Sequence, residues 1–358
     1  MFKSKLASGK LVGFVSILFS SIASLTPVFA GEFDGVTLRV GTFGGSWKEN
    51  IEAVIVPKFE AMGGKMEFVT GSPNQNLAQV IAGRGNAPFD VMEILDAQVA
   101  DIGELGYLQP LDYSKIPNAP QVVEYRQNDM MMGSWDSQEV ICYDTEYFAA
   151  NNIPAPTTYK DLVRPELAGR ILFPDINSGG GLANLGAVAY ATGGDEQNIT
   201  AALELIKEMD ITKFWSRGGE VVASFQSNDI YAAVAGAGWC VRTFKAGEPV
   251  AAVHPQIDGT HTGVAKIGWL GVMKSSDNAV AANWFVNEFI SNEFQQVFAE
   301  KTGLMPVNHA SISRLSEDEL VSKMLVLDAI GIEKQLRLDY SKVVISDWTD
   351  QWSRSVSQ

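Results

Sequence analysis

Residues 36–64 read VTLRVGTFGGSWKENIEAVIVPKFEAMGG, and the change of period inside this stretch decides the fold. From Val36 apolar and polar residues alternate as in a half-buried strand; the pair Gly44–Gly45 stops it, and from Ser46 apolar residues recur at helical spacing. Ser46 is expected to be the N-cap of that helix. Working outward, MEFVTG (66–71) is a second strand, NQNLAQVIAGRG (74–85) a short helix closed by glycine, FDVMEIL (89–95) another apolar strand and DAQVADIGELG (96–106) its helix. Strand and helix alternate, as in a wound α/β sheet. In such sheets the loops at the carboxyl ends of strands line the ligand crevice. That rule singles out Phe43–Trp47, with Gly45, Ser46 and Trp47; Ser72–Asn76, with Asn74; and Leu95–Ala97, where Asp96 either faces the crevice or caps a helix.

A second winding follows. SQEVICYDTEYFAANN (137–152) predicts a strand and a short helix, and after a Pro-rich connection RILFPDI (170–176) is a strand, SGGG (178–181) a loop and LANLGAVAYATGG (182–194) a helix. ITAALELIKEMD (199–210) is helical, YAAVAGAGWCVRTF (231–244) runs from a small-residue segment into a strand, and AKIGWLGVM (265–273) is a hydrophobic strand. AVAANWFVNEFISNEFQQVFAEKTG (279–303) predicts one long helix with Trp284, Phe285, Phe289, Phe294 and Phe298 in the core. Ser316 with Glu319 reads as a capping box, and LDYSKVVISDWTDQWSRSV (338–356) as a final amphipathic helix. Trp215, Trp348 and Trp352 are assigned to packing. No internal repeat is strong enough to use.

The N-terminus is of another kind. MFKSKLASGK (1–10) has three lysines and no acid, and is followed by the apolar, serine-dotted run LVGFVSILFSSIASL (11–25) and TPVFA (26–30). This is a signal-peptide pattern, with Val28 and Ala30 fitting the positions a signal peptidase reads, so cleavage is expected after Ala30 and the mature chain is expected to be soluble and exported. A membrane anchor needs about 20 apolar residues, more than this run offers. Losing Lys3, Lys5 and Lys10 takes the formal charge from -15 to -18, which disfavours nucleic acid and anionic lipid as partners. About 330 mature residues, 46% hydrophobic, suffice for two lobes. Cys142 and Cys240, the two cysteines, admit one bridge in an oxidising compartment or two buried thiols.

Enzyme signatures are missing: no G-x-S-x-G elbow, no P-loop, no H-E-x-x-H and no G-x-G-x-x-G after a strand. His254, His261 and His309 are too scattered for a zinc site, so no metal or cofactor is expected. An acid/base pair of carboxylates keeps a secreted hydrolase as a rival reading.

Three stretches in order, VGTFGGSW (40–47), DLVRPELAGRILFPD (161–175) and KTGLMPVN (301–308), resemble the extracellular solute-binding proteins of ABC importers that include the spermidine/putrescine receptors and the related opine receptors. The resemblance implies a type II periplasmic-binding fold, two discontinuous α/β lobes joined by hinge strands. It places lobe one at 36–137 plus 270–312 and lobe two at 138–269 plus 313–358, with crossings near Val140 and Trp269. It also implies a small-molecule ligand in the inter-lobe cleft, an inner-membrane ABC permease as partner, and a monomer.

Phe43 and Trp239 stand where the family's cleft aromatics would be, and Asp175 where one carboxylate would be. Where the polyamine receptors have further acids, this chain has Ser178 and glycines, and GWLG at the second crossing. Ser178 and Gly179 precede a helix N-terminus, which attracts anions, and Arg242 offers a two-pronged donor. A strand-to-helix turn and a surface ion pair are the plain alternatives. The favoured ligand is an opine or another carboxylated amino-acid derivative, with a polyamine as the alternative. Trp47 and Trp269 either stack on the ligand or belong to the core, and Asp339 and Tyr340 lie near the final return of the chain to the hinge.

Overall fold

The computed structural model describes Met1, residues 31–122 and residues 126–356. The apolar leader and the cleavage point after Ala30 lie outside the described residues. The first winding comprises β1 (Thr37–Thr42), α1 (Ser46–Val54), α2 (Val56–Ala61), β2 (Lys65–Thr70), α3 (Pro73–Ala82), β3 (Val91–Leu95), α4 (Asp96–Leu105) and the short β4 (Leu108–Gln109). The long β5 (Met131–Asp144) leads into α5 (Thr145–Ala150), β6 (Ile171–Pro174), α6 (Gly181–Ala191), α7 (Thr200–Glu208), β7 (Lys213–Trp215), α8 (Gly219–Gln226), β8 (Ala232–Gly236), α9 (Ala237–Lys245) and β9 (Val250–Val253). β10 (Val264–Met273) returns, followed by α10 (Ala279–Phe289), α11 (Asn292–Thr302), α12 (His309–Leu315), α13 (Glu319–Met324), α14 (Ala329–Glu333) and α15 (Ile345–Ser355).

The strands form one sheet of order β2-β1-β3-β10-β5-β8-β6-β7, with β4 on β10 and β9 on β5. A repeat hidden in the sequence shows in this order. β1 lies parallel between β2 and β3, and β10 runs antiparallel to β3, with Trp269 opposite Ile94. Likewise β6 lies parallel between β7 and β8, and β5 runs antiparallel to β8, with Val140 opposite Ala235. β5 and β10 also pair with each other, from Gly271 opposite Met131 to Val264 opposite Glu139, with an irregularity between Gly268 and Trp269. They are the two strands common to both halves. Each half buries apolar side chains on both faces of its sheet. Ile51, Phe59 and Phe285 belong to one cluster of the first half, and Val80, Ile94 and Trp269 to the other. Phe173, Leu185 and Trp352 belong to one cluster of the second half, and Val140, Trp215 and Val241 to the other.

Several local expectations are corrected. The residue ahead of α1 is Gly45 at φ 61, a conformation a side chain resists, so Gly45 and not Ser46 is the N-cap. β5 begins at Met131, earlier than Ser137. YAAVAG is the strand and AGWCVRTFK a helix, where the small-residue segment was expected to lead into a strand, because Ala232–Gly236 is a fully buried central strand whose small residues carry no alternation. The long aromatic helix is two helices broken at Ser291, whose hydroxyl accepts from the Phe294 N–H and caps α11. Phe285, Phe289, Phe294 and Phe298 are buried in the core, as expected. Asp318, not Ser316, caps α13 through the N–H groups of Leu320 and Val321. Cys142 on β5 and Cys240 on α9 are joined by a disulfide.

Candidate functional site

The carboxyl ends of all six parallel strands open into one cleft of about 590 Å3 between the halves. It is lined by Phe43 after β1, Ser72–Gln75 after β2, Leu95 at the end of β3, Asn177–Gly180 after β6, Ser216–Gly218 after β7 and Gly236 at the end of β8. Helices α1, α3, α6, α8 and α9 start at these turns, so their first N–H groups, which have no intrahelical acceptor, are gathered around the cleft.

The wall from the first half is aromatic. Phe43 lies 4.8 Å from Trp47, and Trp47 meets Trp135 edge-on at 5.4 Å and Phe298 at 4.6 Å. Behind them Glu93, 1% exposed, accepts from Thr42 Oγ1, from Trp47 Nε1 at 2.6 Å and from Trp135 Nε1 at 3.2 Å. Burial pushes its carboxyl up to about 7, against the pull of those three donors. Glu93 thereby fixes the orientation of both indoles.

The opposite wall is cationic. α9 places Trp239 and Arg242 three residues apart, on one side of a helix. The guanidinium carbon lies 4.3 Å from the centre of the Trp239 ring, a cation–π stack. Arg242 Nε is buried with no hydrogen-bond partner, no carboxylate pairs with this side chain among the described residues, and burial lowers its pKa. The turn before α8 lies directly on the indole: a Cβ at Gly218 would fall 1.9 Å from Trp239, so only glycine fits. The Cys142–Cys240 bridge ties the first turn of α9 to β5.

Between the walls, Lys266 on β10 is paired with Glu139 on β5. Glu139 also accepts from Ser137 Oγ at 3.1 Å and from Asn184 Nδ2 at 2.8 Å, so the Lys266 charge is matched. The cleft lining thus contains Arg217, Arg242 and Lys266 but no Asp or Glu, in a chain of formal charge -15. Arg217 has Glu220 3.9 Å away. Arg242 has no carboxylate partner among the described residues.

Beside this cleft lies a chamber of about 200 Å3, sharing Asn74, Leu95, Asn177, Ser178, Gly179 and Lys266 with it. Asp96, Asp101 and Tyr340 are in its lining. Asp96 accepts from the Ile267 N–H and from Trp269 Nε1 at 2.6 Å, and burial raises its carboxyl to about 6.

The model of the family described as bacterial extracellular solute-binding proteins matches residues 56–323. The chain belongs to this family. Solved structures agree on the two-lobed type II fold. An ABC transporter protein from Clostridium perfringens ATCC 13124 is 24% identical with a TM-score of 0.70, over 89% of this chain and 99% of that one. The periplasmic binding protein AgtB from A. tumefaciens R10, in complex with agropinic acid, is 20% identical with a TM-score of 0.70, over 90% and 99%. A GABA receptor is 20% identical with a TM-score of 0.70, over 88% and 96%. The chain is therefore an extracellular solute-binding protein, and not an enzyme.

In this solute-binding protein Phe43, Ser46, Trp47, Asn74, Ser178, Gly179, Trp239 and Arg242 line the cleft, and Asp96 and Tyr340 the chamber. Four expected residues line neither. Gly45 serves the backbone turn, and Asp175 folds onto the N–H and side chain of Asn177. Trp269 is core, its N–H committed to Asp96, and Asp339 holds Ser341 and Lys342 at an exposed turn. Asp96 caps no helix; it ties α4 to β10. Trp215, assigned to packing, is buried with its N–H on the Val234 carbonyl, yet one side of it faces the cleft. Trp135, Lys266 and the Glu93 support escaped sequence reasoning, whereas Gln75 falls in the expected Ser72–Asn76 turn. A lone carboxylate in the apolar run VMEIL was the available signal for Glu93, since such a group is buried only with partners.

Proposed function

We propose that this protein captures a small carboxylated solute, of the opine or amino-acid-derivative kind, by pairing its carboxylate with Arg242 while the Phe43–Trp47–Trp135 wall packs on its apolar part. The observation that carries this is the Arg242 guanidinium, stacked on Trp239 at the cleft with a buried Nε and no anion. Such a group is costly to bury unless a ligand completes it. The gathered helix N-termini act in the same direction. Agropinic acid and GABA, the ligands named for two structural neighbours, both bear a carboxyl group, which supports the reading.

The lobes are taken as 36–137 plus 270–312 and 138–269 plus 313–358, the division in which α13 packs on α9 and α15 on α7 within lobe two. A solute touching both walls stabilises the closed form, which an inner-membrane permease recognises on a single chain. Calorimetry with agropinic acid, GABA, putrescine and spermidine tests the ligand class. Binding of an acid, weakened about 100-fold by Arg242→Ala, is expected. Micromolar binding of spermidine alone, or acid binding indifferent to Arg242→Ala, would refute the reading.

A further inference from the structure

The chamber beside the cleft has the opposite electrostatic character. It is walled by α4 from lobe one, by the β6–α6 turn from lobe two, by β10, and by Tyr340 and α15 near the C-terminus. Its lining acids are Asp96 and Asp101, and its lining cation is Lys266, whose ammonium is already paired with Glu139. The Tyr340 hydroxyl is close enough to Asp96 and Glu139 to feel both charges, and Ser178 Oγ at the boundary with the cleft is buried with no partner among the described residues. Asp96 spends two acceptor sites on Ile267 N–H and Trp269 Nε1, and an ionised carboxylate has about four.

We infer that this chamber is a second subsite of the cleft, built for a cationic amino group at the far end of a zwitterionic solute whose carboxylate sits on Arg242. The inference rests on the carboxylate reading of the cleft and adds a ligand class to it. Asp96 supplies the charge, Asn74 and Asn177 on the shared boundary and Tyr340 supply neutral acceptors, and the shared lining makes the two compartments neighbours, so that the connecting chain would cross at this boundary. The two charges of the solute are separated as the two compartments are. The C-terminal segment then acts in recognition, because Tyr340 and the start of α15 close the chamber that α4 opens.

The experiment titrates the full chain with straight-chain ω-amino acids of increasing length and with the matching fatty acids. At the best length the amino acid should bind at least about tenfold more tightly than its des-amino partner, a charge-assisted contact. Asp96→Asn and the chamber-filling Ala97→Leu should each collapse that ratio towards one while leaving fatty-acid affinity within about twofold. Ala97→Leu leaves the Asp96 hydrogen bonds in place, so it separates loss of space from disturbance of the hinge. Equal affinity of each pair at every length, or a ratio unchanged in both variants, overturns the subsite while the cleft reading stands. If neither series binds, the carboxylate reading falls and the subsite with it.

Discussion

The two walls of the cleft are built by equivalent elements and do opposite work. In lobe one the turn after β1 and the strand β5 supply Trp47 and Trp135, both locked on the buried Glu93, whose charge is spent inside the protein. In lobe two α9, which follows β8 directly, supplies Trp239, overlain by Arg242 with no carboxylate partner among the described residues. Lobe one therefore contributes shape and lobe two contributes charge. On the proposed reading, a solute that satisfies both would bridge them and so couple binding to closure.

Removing what fixes each wall breaks the comparison most severely. The double variant Cys142→Ala, Cys240→Ala opens a loop spanning 98 residues of sequence separation and should cost about 4 kcal/mol. The loss should appear in the unfolding transition of lobe two, seen by denaturant titration, with lobe one unchanged; equal loss in both would make the bridge a global staple.

The corresponding device in lobe one is sensitive to pH. The folded pKa of Glu93, about 7, exceeds the ordinary carboxylate value, so the native state holds a proton that the unfolded chain releases. That stabilisation is complete below about pH 4.5 and is lost as pH rises through 7. Relative to Glu93→Gln, the native protein should lose on the order of 3 kcal/mol between pH 4.5 and pH 8. Paired melts across this range check it, and a flat difference would show that the indoles do not depend on the carboxyl. The smallest expected effect sharpens the contrast from the ligand side. Ser178→Ala removes a hydroxyl that has no protein partner, so it should leave stability unchanged within about 0.5 kcal/mol and weaken acid binding about fivefold by calorimetry.

Much of the site was legible because a wound α/β sheet sends its strand ends to one crevice. Once β1, β2, β3 and β6 were read from their periods, the turns carrying Phe43, Trp47, Asn74, Ser178 and Gly179 followed. Asp175 and Asp339 misled because a short acid in a turn satisfies its own neighbours' N–H groups before it can face a ligand. Trp135 and Lys266 lie on the crossing strands, where facing one compartment or another depends on register and on the irregularity beside Trp269. The doubling of the strand order was invisible, since equivalent strands of the two halves share positions and not residues.

By itself, the sequence determined that this chain is a wound α/β protein of the solute-binding kind, because hydrophobic period and turn residues are local properties and their order along the chain is the topology. Only the tertiary structure decided that Arg242 has no carboxylate partner among the described residues, that the Glu93 carboxyl is committed to three internal donors, and that the described lining of the cleft in an acidic protein holds no acid. Those are statements about which groups the fold brings together, such as Glu93 and its donors 42 to 51 residues away in sequence, and charge acts through space, not along the chain.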